Sequence, residues 1–217
     1  MPAGTVRQRA TKRYRRPIVV GPEDNGRRMS LADFDKARAK EGYLYELSRG
    51  VIIVSDVPDW PHLYQIDAAR EQFSAHRGRH PEQISIIAGG SDCKVLLDDL
   101  QSERHPDLSI YLDPPPQAKN VWAEWIAAIV LEIVSKGSEH RDYVLKREEY
   151  LQFGIREYWI LDVFKSEMLV LRRYGGTWKE EIVCPPKLYR TPLLPGLKFS
   201  CAKVFQAAKK GRRANHQ

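Results

Sequence analysis

Short apolar runs alternate along the chain with polar, turn-forming segments. The runs are rich in β-branched and aromatic residues and are bounded by Gly, Pro and charged residues, which predicts the strands of a sheet. Two central runs are almost wholly apolar, so we expect their strands to be buried on both faces. In chain order the runs are ISIIAGG, KVLLDD, LSIYLD, AAIVLEIV and EYWILDV.

Three further segments carry helix signals. Ser30 suits the cap of a short leading helix over SLADFDKARAKEG, and ordered structure is expected to begin near Met29. The segment PHLYQIDAAREQFSAH has apolar residues at helical intervals, which predicts a second helix. The third segment, SEHRDYVLKREEYLQFG, runs from Ser138 to Gly154 and closes with a glycine, as helices commonly do.

The remaining patterns predict extended chain. YLYELSRGVIIVSD indicates two strands joined around Gly50, and MLVLRRYGGTWKEEIV indicates a hairpin about Gly175 and Gly176. LLPGLKFSCAKVF is predicted to be a final extended piece. Strands and helices in this order describe an α/β protein whose sheet is covered by helices on at least one face.

Length and charge together predict one domain with basic ends. The 217 residues suit a single core. Residues 1–16 contain six Lys or Arg, residues 206–217 contain four, and neither segment contains an acid. Removing these ten positive charges from the net +7 leaves −3 for the body. We therefore predict a disordered basic tail over 1–27, one domain over 28–205 and a basic tail over 206–217. Such tails either add non-specific affinity for polyanions or only keep the chain soluble.

Composition argues against export and against membrane insertion. No run approaches the roughly 18 apolar residues that cross a bilayer, and no apolar stretch follows the first arginines as in a secretory signal. Cys93, Cys184 and Cys201 are odd in number and lack the close pairs of zinc or redox motifs. We expect a cytoplasmic protein without a membrane partner.

The most informative residue is Lys146, a lysine at an apolar position of the third helix. Tyr143, Lys146, Tyr150 and Leu151 share one stripe at helical spacing, so the ammonium is predicted to point inward. An unpaired buried ammonium is costly, and carboxylates are therefore expected beside it.

Two upstream segments supply such carboxylates. Asp107 opens one predicted strand, and Glu132 lies late in another on the same face as Val130 and Val134. Adjacent strands would bring both acids to one edge of the sheet. Two carboxylates and a lysine are the minimum for a nuclease that holds a hard divalent cation. The alternative is a structural Glu132–Lys146 ion pair without chemistry, and Asp107 after Pro106 also suits a simple turn.

Several short motifs follow one another in a fixed order. They are YELSRG (Tyr45–Gly50), His62 at a helix start, PD (Pro106–Asp107), EIVS (Glu132–Ser135), D-x-x-x-K-x-x-x-Y-x-x-x-G (Asp142–Gly154), EYWILD (Glu157–Asp162) and LLPGL (Leu193–Leu197). Over roughly residues 29 to 205 the chain thereby resembles the Uma-type restriction endonucleases of the PD-(D/E)xK nuclease superfamily.

The resemblance implies a restriction-endonuclease-like core, a mixed sheet flanked by helices, here with an added β-hairpin. It also implies hydrolysis of phosphodiester bonds in DNA with Mg²⁺, for which Mn²⁺ is the alternative. Asp107 and Glu132 would be metal ligands, with the backbone carbonyl of Ile133 as a third, and Lys146 would be the catalytic lysine. A homodimer is a further alternative, since nucleases that cut both strands often dimerise.

The chain departs from the superfamily pattern at one position. The usual lysine two residues after the acid is replaced by Val134, so the lysine has to reach in from the following helix, as in the Uma-type group. Lys136 shares the strand parity of Glu132 and is the second candidate, although the strand should already be ending there.

Four more residues are candidates for supporting roles. The resemblance includes Glu46 and His62; Glu46 would be a third acid near the metal, whereas His62 is better explained by a local hydrogen bond at its helix start. Asp142 and Tyr150 lie one turn before and after Lys146 and would hold its rotamer. The Asp142–Lys146 pair is equally typical of a solvent-exposed helix.

Two rival functions remain open on the sequence. One is a catalytically silent nucleic-acid-binding or interaction protein that kept the fold, which the acidic body and Val134 favour. The other is a metal-dependent hydrolase of a small phosphoester or nucleotide.

Overall fold

A computed structural model describes residues 17–214. Its strands are β1 (Val19–Val20), β2 (Arg38–Ala39), β3 (Tyr43–Ser48), β4 (Val51–Asp56), β5 (Ile86–Ala88), β6 (Val95–Leu97), β7 (Ser102–Arg104), β8 (Leu108–Tyr111), β9 (Ile129–Ile133), β10 (Glu157–Asp162), β11 (Glu167–Tyr174) and β12 (Thr177–Val183). Its α-helices are α1 (Leu31–Phe34), α2 (Trp60–Arg79), α3 (Val121–Glu124), α4 (Lys146–Phe153) and α5 (Cys201–Ala214). Short 3-10 turns occur at Pro22–Asp24 and Gly90–Asp92, and a π-helical turn at Arg141–Leu145 leads into α4.

The central layer is a six-stranded mixed sheet in the order β12-β11-β10-β9-β8-β5. β9 and β10 are parallel, and their other neighbours in the sheet are antiparallel. The middle strands are buried along their whole length, as their apolar sequences predict. The mixed sheet and its added hairpin, β11–β12, confirm the predicted fold class.

Helices cover one face of this sheet, and α4 with a second sheet covers the other. On the first face, α2 and α5 pack Phe73 and Phe205 against Leu131 and Trp159. On the second face, Tyr150 of α4 packs against strand residues such as Val130 and Ile160. Because side chains alternate along β9, Glu132 points to this second face with Val130.

The second sheet has four strands in the order β4-β3-β7-β6. β3 and β4 form the predicted hairpin around Arg49 and Gly50, both of which have positive φ, as a tight two-residue turn requires. The run KVLLDD supplies β6 of this sheet rather than a strand of the central one. β7 was not predicted, because its sequence SER lacks the apolar and β-branched residues that mark a strand.

Two predicted elements differ from the structure. The leading helix ends at Phe34, since Leu31 and Phe34 anchor it and the polar residues that follow offer no apolar stripe. The predicted final extended piece was wrong from Cys201 onward, where the chain is helical. Val204, Phe205 and Ala208 recur there at helical spacing and are buried.

The predicted domain limits also differ from the described chain. Val20 of β1 is buried against α1, so ordered structure begins before residue 28. Helix α5 occupies most of the predicted C-terminal tail. Residues 1–16 and 215–217 lie outside the described residues, so the predicted disorder of the basic ends there stays a prediction. Within the described range, no helix combines the length and apolar character needed to cross a membrane.

The third predicted helix contains an irregularity. Arg141–Leu145 form a π-helical turn, and only Lys146–Phe153 are α-helical. The helix stops at Gly154, whose φ of 104° is left-handed and whose N–H caps the last carbonyls, as the glycine predicts. Tyr143, expected on the inward stripe with Lys146, is partly buried against the same core as Tyr150, and its hydroxyl donates to the buried Asp162.

Gly211 fixes the contact between α5 and the start of α2. A β-carbon at Gly211 would lie 2.6 Å from Pro61 Cα, a backbone atom that cannot move away cheaply. We expect Gly211→Ala to lower the free energy of unfolding by about 1–3 kcal/mol. The matched control is Gly78→Ala in α2, where nothing lies within 4 Å and where alanine should stabilise the helix by about 0.5–1 kcal/mol. Urea unfolding measures both; stabilisation by Gly211→Ala would contradict this packing.

Candidate active site

Two carboxylates meet where β8 begins and β9 ends. The antiparallel register pairs Leu108 with Leu131, which sets Asp107 opposite Glu132. The Asp107 nitrogen lies 3.5 Å from Glu132 Oε2, and the Ile133 N–H donates to Asp107 Oδ2 at 2.8 Å. The predicted meeting of these two acids at one edge of the sheet is therefore observed.

Lys146, in the first turn of α4, points towards these two carboxylates. Its Nζ lies 2.9 Å from Glu132 Oε1, 3.5 Å from Asp142 Oδ1 and 3.7 Å from Glu46 Oε1. The side chain is 4% exposed, so the lysine points inward as predicted. Lys136, the second candidate, is exposed in the turn after β9 has ended.

The supporting candidates contact the same cluster. Tyr150 donates its hydroxyl to Glu132 Oε1 at 2.6 Å from one turn beyond Lys146. Asp142 is buried rather than on a solvent-exposed helix face, and it accepts a hydrogen bond from Ser138 Oγ at 2.5 Å. Glu46 reaches Lys146 from β3 and accepts a hydrogen bond from the His105 N–H at 3.0 Å.

His62 makes the expected local hydrogen bond and also contacts the carboxylate cluster. Its backbone N–H donates to Asp59 Oδ1, the local hydrogen bond expected at a helix start. Its ring also extends to the carboxylates, with Nε2 3.1 Å from Asp107 Oδ1. Burial alone would lower the pKa of His62, but the charge of Asp107 and the hydrogen bond to it outweigh burial, and the pKa is raised.

Three acids contact Lys146, and burial and these charges together shift the pKa values of Glu132 and of Lys146 itself. Burial raises the pKa of Glu132, and Asp107, Asp142 and Glu46 raise it further against the opposing effect of Lys146. Burial would lower the pKa of Lys146, but Glu132, Glu46 and Asp142 raise it above its ordinary value. The pKa of Glu132 is thus raised mainly by burial, and that of Lys146 by the carboxylates around it. Lys146 therefore stays charged at neutral pH.

The cluster opens to solvent at one end. The side chains of Asp107 and His62 are 19% and 14% exposed, whereas those of Glu132 and Asp142 are each 3% exposed. Asp107 and His62 are therefore the members of the cluster that solvent reaches, and Glu132, Asp142 and Lys146 lie beneath them.

The sequence analysis did not identify Arg104 of β7, a cation that forms ion pairs with Glu46 and Glu149 next to the site. This side chain is fully buried and binds Glu149 of α4 through Nε at 2.6 Å and Nη2 at 3.1 Å. It also donates to Glu46 Oε2 at 3.1 Å and to Ser48 Oγ at 2.6 Å. The position of Glu149, three residues after Lys146 on the same helix, was the available signal for this second ion pair.

The donor atoms fit a hard divalent cation, although a complete set of ligands is not already arranged. Mg²⁺ takes carboxylate and carbonyl oxygens and keeps several waters, so two carboxylates are sufficient protein ligands. Burial, and after it the neighbouring acids Asp107, Asp142 and Glu46, raise the pKa of Glu132, and a bound cation would favour its ionised form. Within residues 17–214, no group of three or more His, Cys, Asp or Glu side chains surrounds one metal position.

Comparisons with known proteins agree with this architecture. The sequence profile of the Uma2 family, described as "Putative restriction endonuclease", matches residues 31–202. The crystal structure of a putative nuclease belonging to DUF820 from Anabaena variabilis ATCC 29413 has a similar fold, with a TM-score of 0.67 and 18% identity. The match covers 83% of this chain and 99% of that chain. A comparison with curated proteins gave no match.

Proposed function

Because the chain belongs to the Uma2 family, described as "Putative restriction endonuclease", we propose that it is a metal-dependent endonuclease that hydrolyses phosphodiester bonds in DNA. One observation carries the proposal. A buried ammonium, Lys146, lies within 4 Å of three carboxylates, and one of them, Glu132, lies opposite the partly exposed Asp107. A purely structural ion pair would need one carboxylate for one lysine and would not need an opening to solvent.

Asp107 and Glu132 would hold Mg²⁺, or Mn²⁺ in its place, together with the backbone carbonyl of Ile133. When bound, the cation would lower the pKa of a water molecule and neutralise charge developing on the phosphate. Asp107 is suited to this role because His62, Lys146 and the Ile133 N–H outweigh the effect of burial and lower its pKa, so it is ionised at neutral pH.

Lys146 would act as a fixed positive charge. Glu132, Glu46 and Asp142 raise its pKa against the effect of burial, so it would donate hydrogen bonds to the attacking water or to a non-bridging phosphate oxygen. Glu46 and Asp142 hold the ammonium from two sides, and Tyr150 holds the Glu132 carboxylate. These contacts limit the rotamers of the reacting groups before substrate arrives.

Nicking of supercoiled plasmid tests the proposal. Wild type should convert the plasmid to nicked or linear product with Mg²⁺ or Mn²⁺ and should be inactive in EDTA. Asp107→Asn should lose both cleavage and calorimetric Mn²⁺ binding, because the substitution removes a charged ligand. The control is Asp113→Asn, whose carboxylate is 87% exposed and whose substitution should change neither result.

A folded wild-type protein that is inert with both metals would contradict DNA cleavage. RNA, a small phosphoester, or binding without cleavage would then be measured with the same variants. Retained Mn²⁺ binding in Asp107→Asn would instead show that the metal lies elsewhere.

A further inference from the structure

Helix α5 lies antiparallel along α2. At one end, the Ser200 N–H donates to Gln72 Oε1 at 2.8 Å, and Gln72 Nε2 donates back to the Ser200 carbonyl at 3.3 Å. At the other end, Gly211 packs directly on the backbone of Pro61, the residue before His62. The C-terminal end of α5 therefore lies beside the start of α2, and His62 in that first turn contacts Asp107.

The exposed face of α5 is basic, and the exposed residues of α2 are of both signs, Asp67 and Glu71 as well as Arg79. Lys203 and Lys210 are exposed and seven residues apart, which places them on the same face of α5. Lys203 also lines a cleft between α5 and α2, together with Arg79 and Lys198. We call Arg79, Lys198, Lys203 and Lys210 the α2–α5 stripe.

The cations of the stripe lack acidic partners. Among the described residues, no carboxylate lies within 4.0 Å of any of the four, and Lys36, Lys119 and Lys179 likewise form no ion pair; the stripe differs from these in that three of its cations line one cleft. Helix α5 itself contains no acidic residue. Unpaired, exposed cations arranged along one direction are the electrostatic pattern expected of a surface that binds a polyanion.

We propose that the α2–α5 stripe binds the phosphate backbone of duplex DNA and leads it to the active site. This inference rests on the proposed function and specifies the form of the substrate. At about 1.5 Å per residue, Arg79 lies about 25 Å from His62 along α2. With phosphates about 3.4 Å apart on one strand, this distance corresponds to about seven base pairs. A stiff duplex bridges such a distance without losing chain entropy, whereas a flexible single strand would have to be ordered along it.

The test compares two triple variants with the same change in net charge. One is Arg79→Ala/Lys203→Ala/Lys210→Ala on the stripe; the control is Lys36→Ala/Lys119→Ala/Lys179→Ala, all exposed and outside it. Binding to a fluorescent 30-base-pair duplex is measured in EDTA over a range of salt concentrations. The stripe variant should lose affinity by about tenfold or more, and its slope of log affinity against log salt should fall by about 2 to 3. The control should stay within about twofold of wild type.

A second measurement, acrylamide quenching of tryptophan fluorescence, tests whether the bound duplex lies near the active site. Trp60, at the start of α2, is 56% exposed, more than Trp125, Trp159 or Trp178. A duplex that follows the stripe should shield Trp60 from acrylamide in wild type, and this protection should disappear in Trp60→Phe and in the stripe variant.

The results separate this inference from the proposed function. Binding is measured without metal, so a protein that binds through the stripe but does not cleave supports the inference and contradicts the nuclease proposal. Equal losses in the two triple variants overturn the inference even if wild type cleaves. Failure of wild type to bind the duplex at low salt, or equal affinity for a single strand of the same length, also overturns it.

Discussion

Replacing Lys146 with methionine should reduce cleavage by at least about 100-fold, which makes it one of the two largest effects we expect. Methionine has a similar length but no charge, so Glu132, Asp142 and Glu46 would lose the cation that they share. The same loss should destabilise the fold at neutral pH, because three largely buried carboxylates would then repel one another. Initial rates of plasmid nicking and urea unfolding measure the two effects.

A charge-neutral double variant separates catalysis from folding. Glu132→Gln/Lys146→Met removes one negative and one positive charge, so it should be more stable than Lys146→Met and still fail to cleave. Lys136→Ala is the control for the second lysine candidate, and its exposed side chain should be dispensable. Loss of cleavage in Lys136→Ala with full activity in Lys146→Met would reverse the assignment.

The second large effect concerns stability. Arg104→Met should lower the free energy of unfolding by about 3–5 kcal/mol, because Glu149 and Glu46 would remain buried without their guanidinium partner. Arg104→Met/Glu149→Leu should recover part of this loss, since the double variant no longer buries the Glu149 charge. Urea unfolding of both single variants and the double variant gives the coupling free energy, which should exceed about 1 kcal/mol. Additive losses would contradict a direct ion pair.

The cost of Arg104→Met should also depend on pH. Burial would raise the pKa of Glu46, but Lys146 and Arg104 outweigh it and hold the pKa at about 2, below its ordinary 4.5. Ionised Glu46 therefore stabilises the fold above about pH 4.5, and this contribution is lost as pH falls towards about 2. Without Arg104 the pKa of Glu46 rises, so the Glu46 carboxylate of the variant is protonated at a higher pH than that of wild type. The stability gap between wild type and Arg104→Met should narrow as pH falls through this range.

Much of the central fold follows from local patterns. Apolar runs flanked by turn residues predicted β8, β9 and β10, because strands buried on both faces need apolar side chains throughout. The final helix was misassigned, because LKFSCAKVF is too short for periodicity to separate a buried helix from a strand. Its helical conformation depends on packing against α2, and that contact comes from a segment distant in sequence.

The sequence pattern itself named Asp107, Glu132 and Lys146, and helical spacing from Lys146 added Asp142 and Tyr150. Glu46 and His62 became candidates only through the family resemblance. An ionisable residue in an apolar pattern is costly to bury, so each such position indicates a partner or a site. Their catalytic roles stay predictions, but their proximity could be inferred. The sequence could not reveal which residues support them, because Arg104 lies in a short strand with no distinguishing pattern.

By itself, the sequence determined the apolar strands, the inward-pointing Lys146 and the need for carboxylates beside it. Hydrophobic periodicity and the cost of burying a charge can both be judged from the local sequence. Only the tertiary structure decided that Arg104 forms an ion pair with Glu46 and that Lys146 contacts three carboxylates. It also decided that α5 runs towards the start of α2, so that its lysines approach His62. These features depend on distances between elements far apart in the chain, and such distances are set by packing rather than by local sequence.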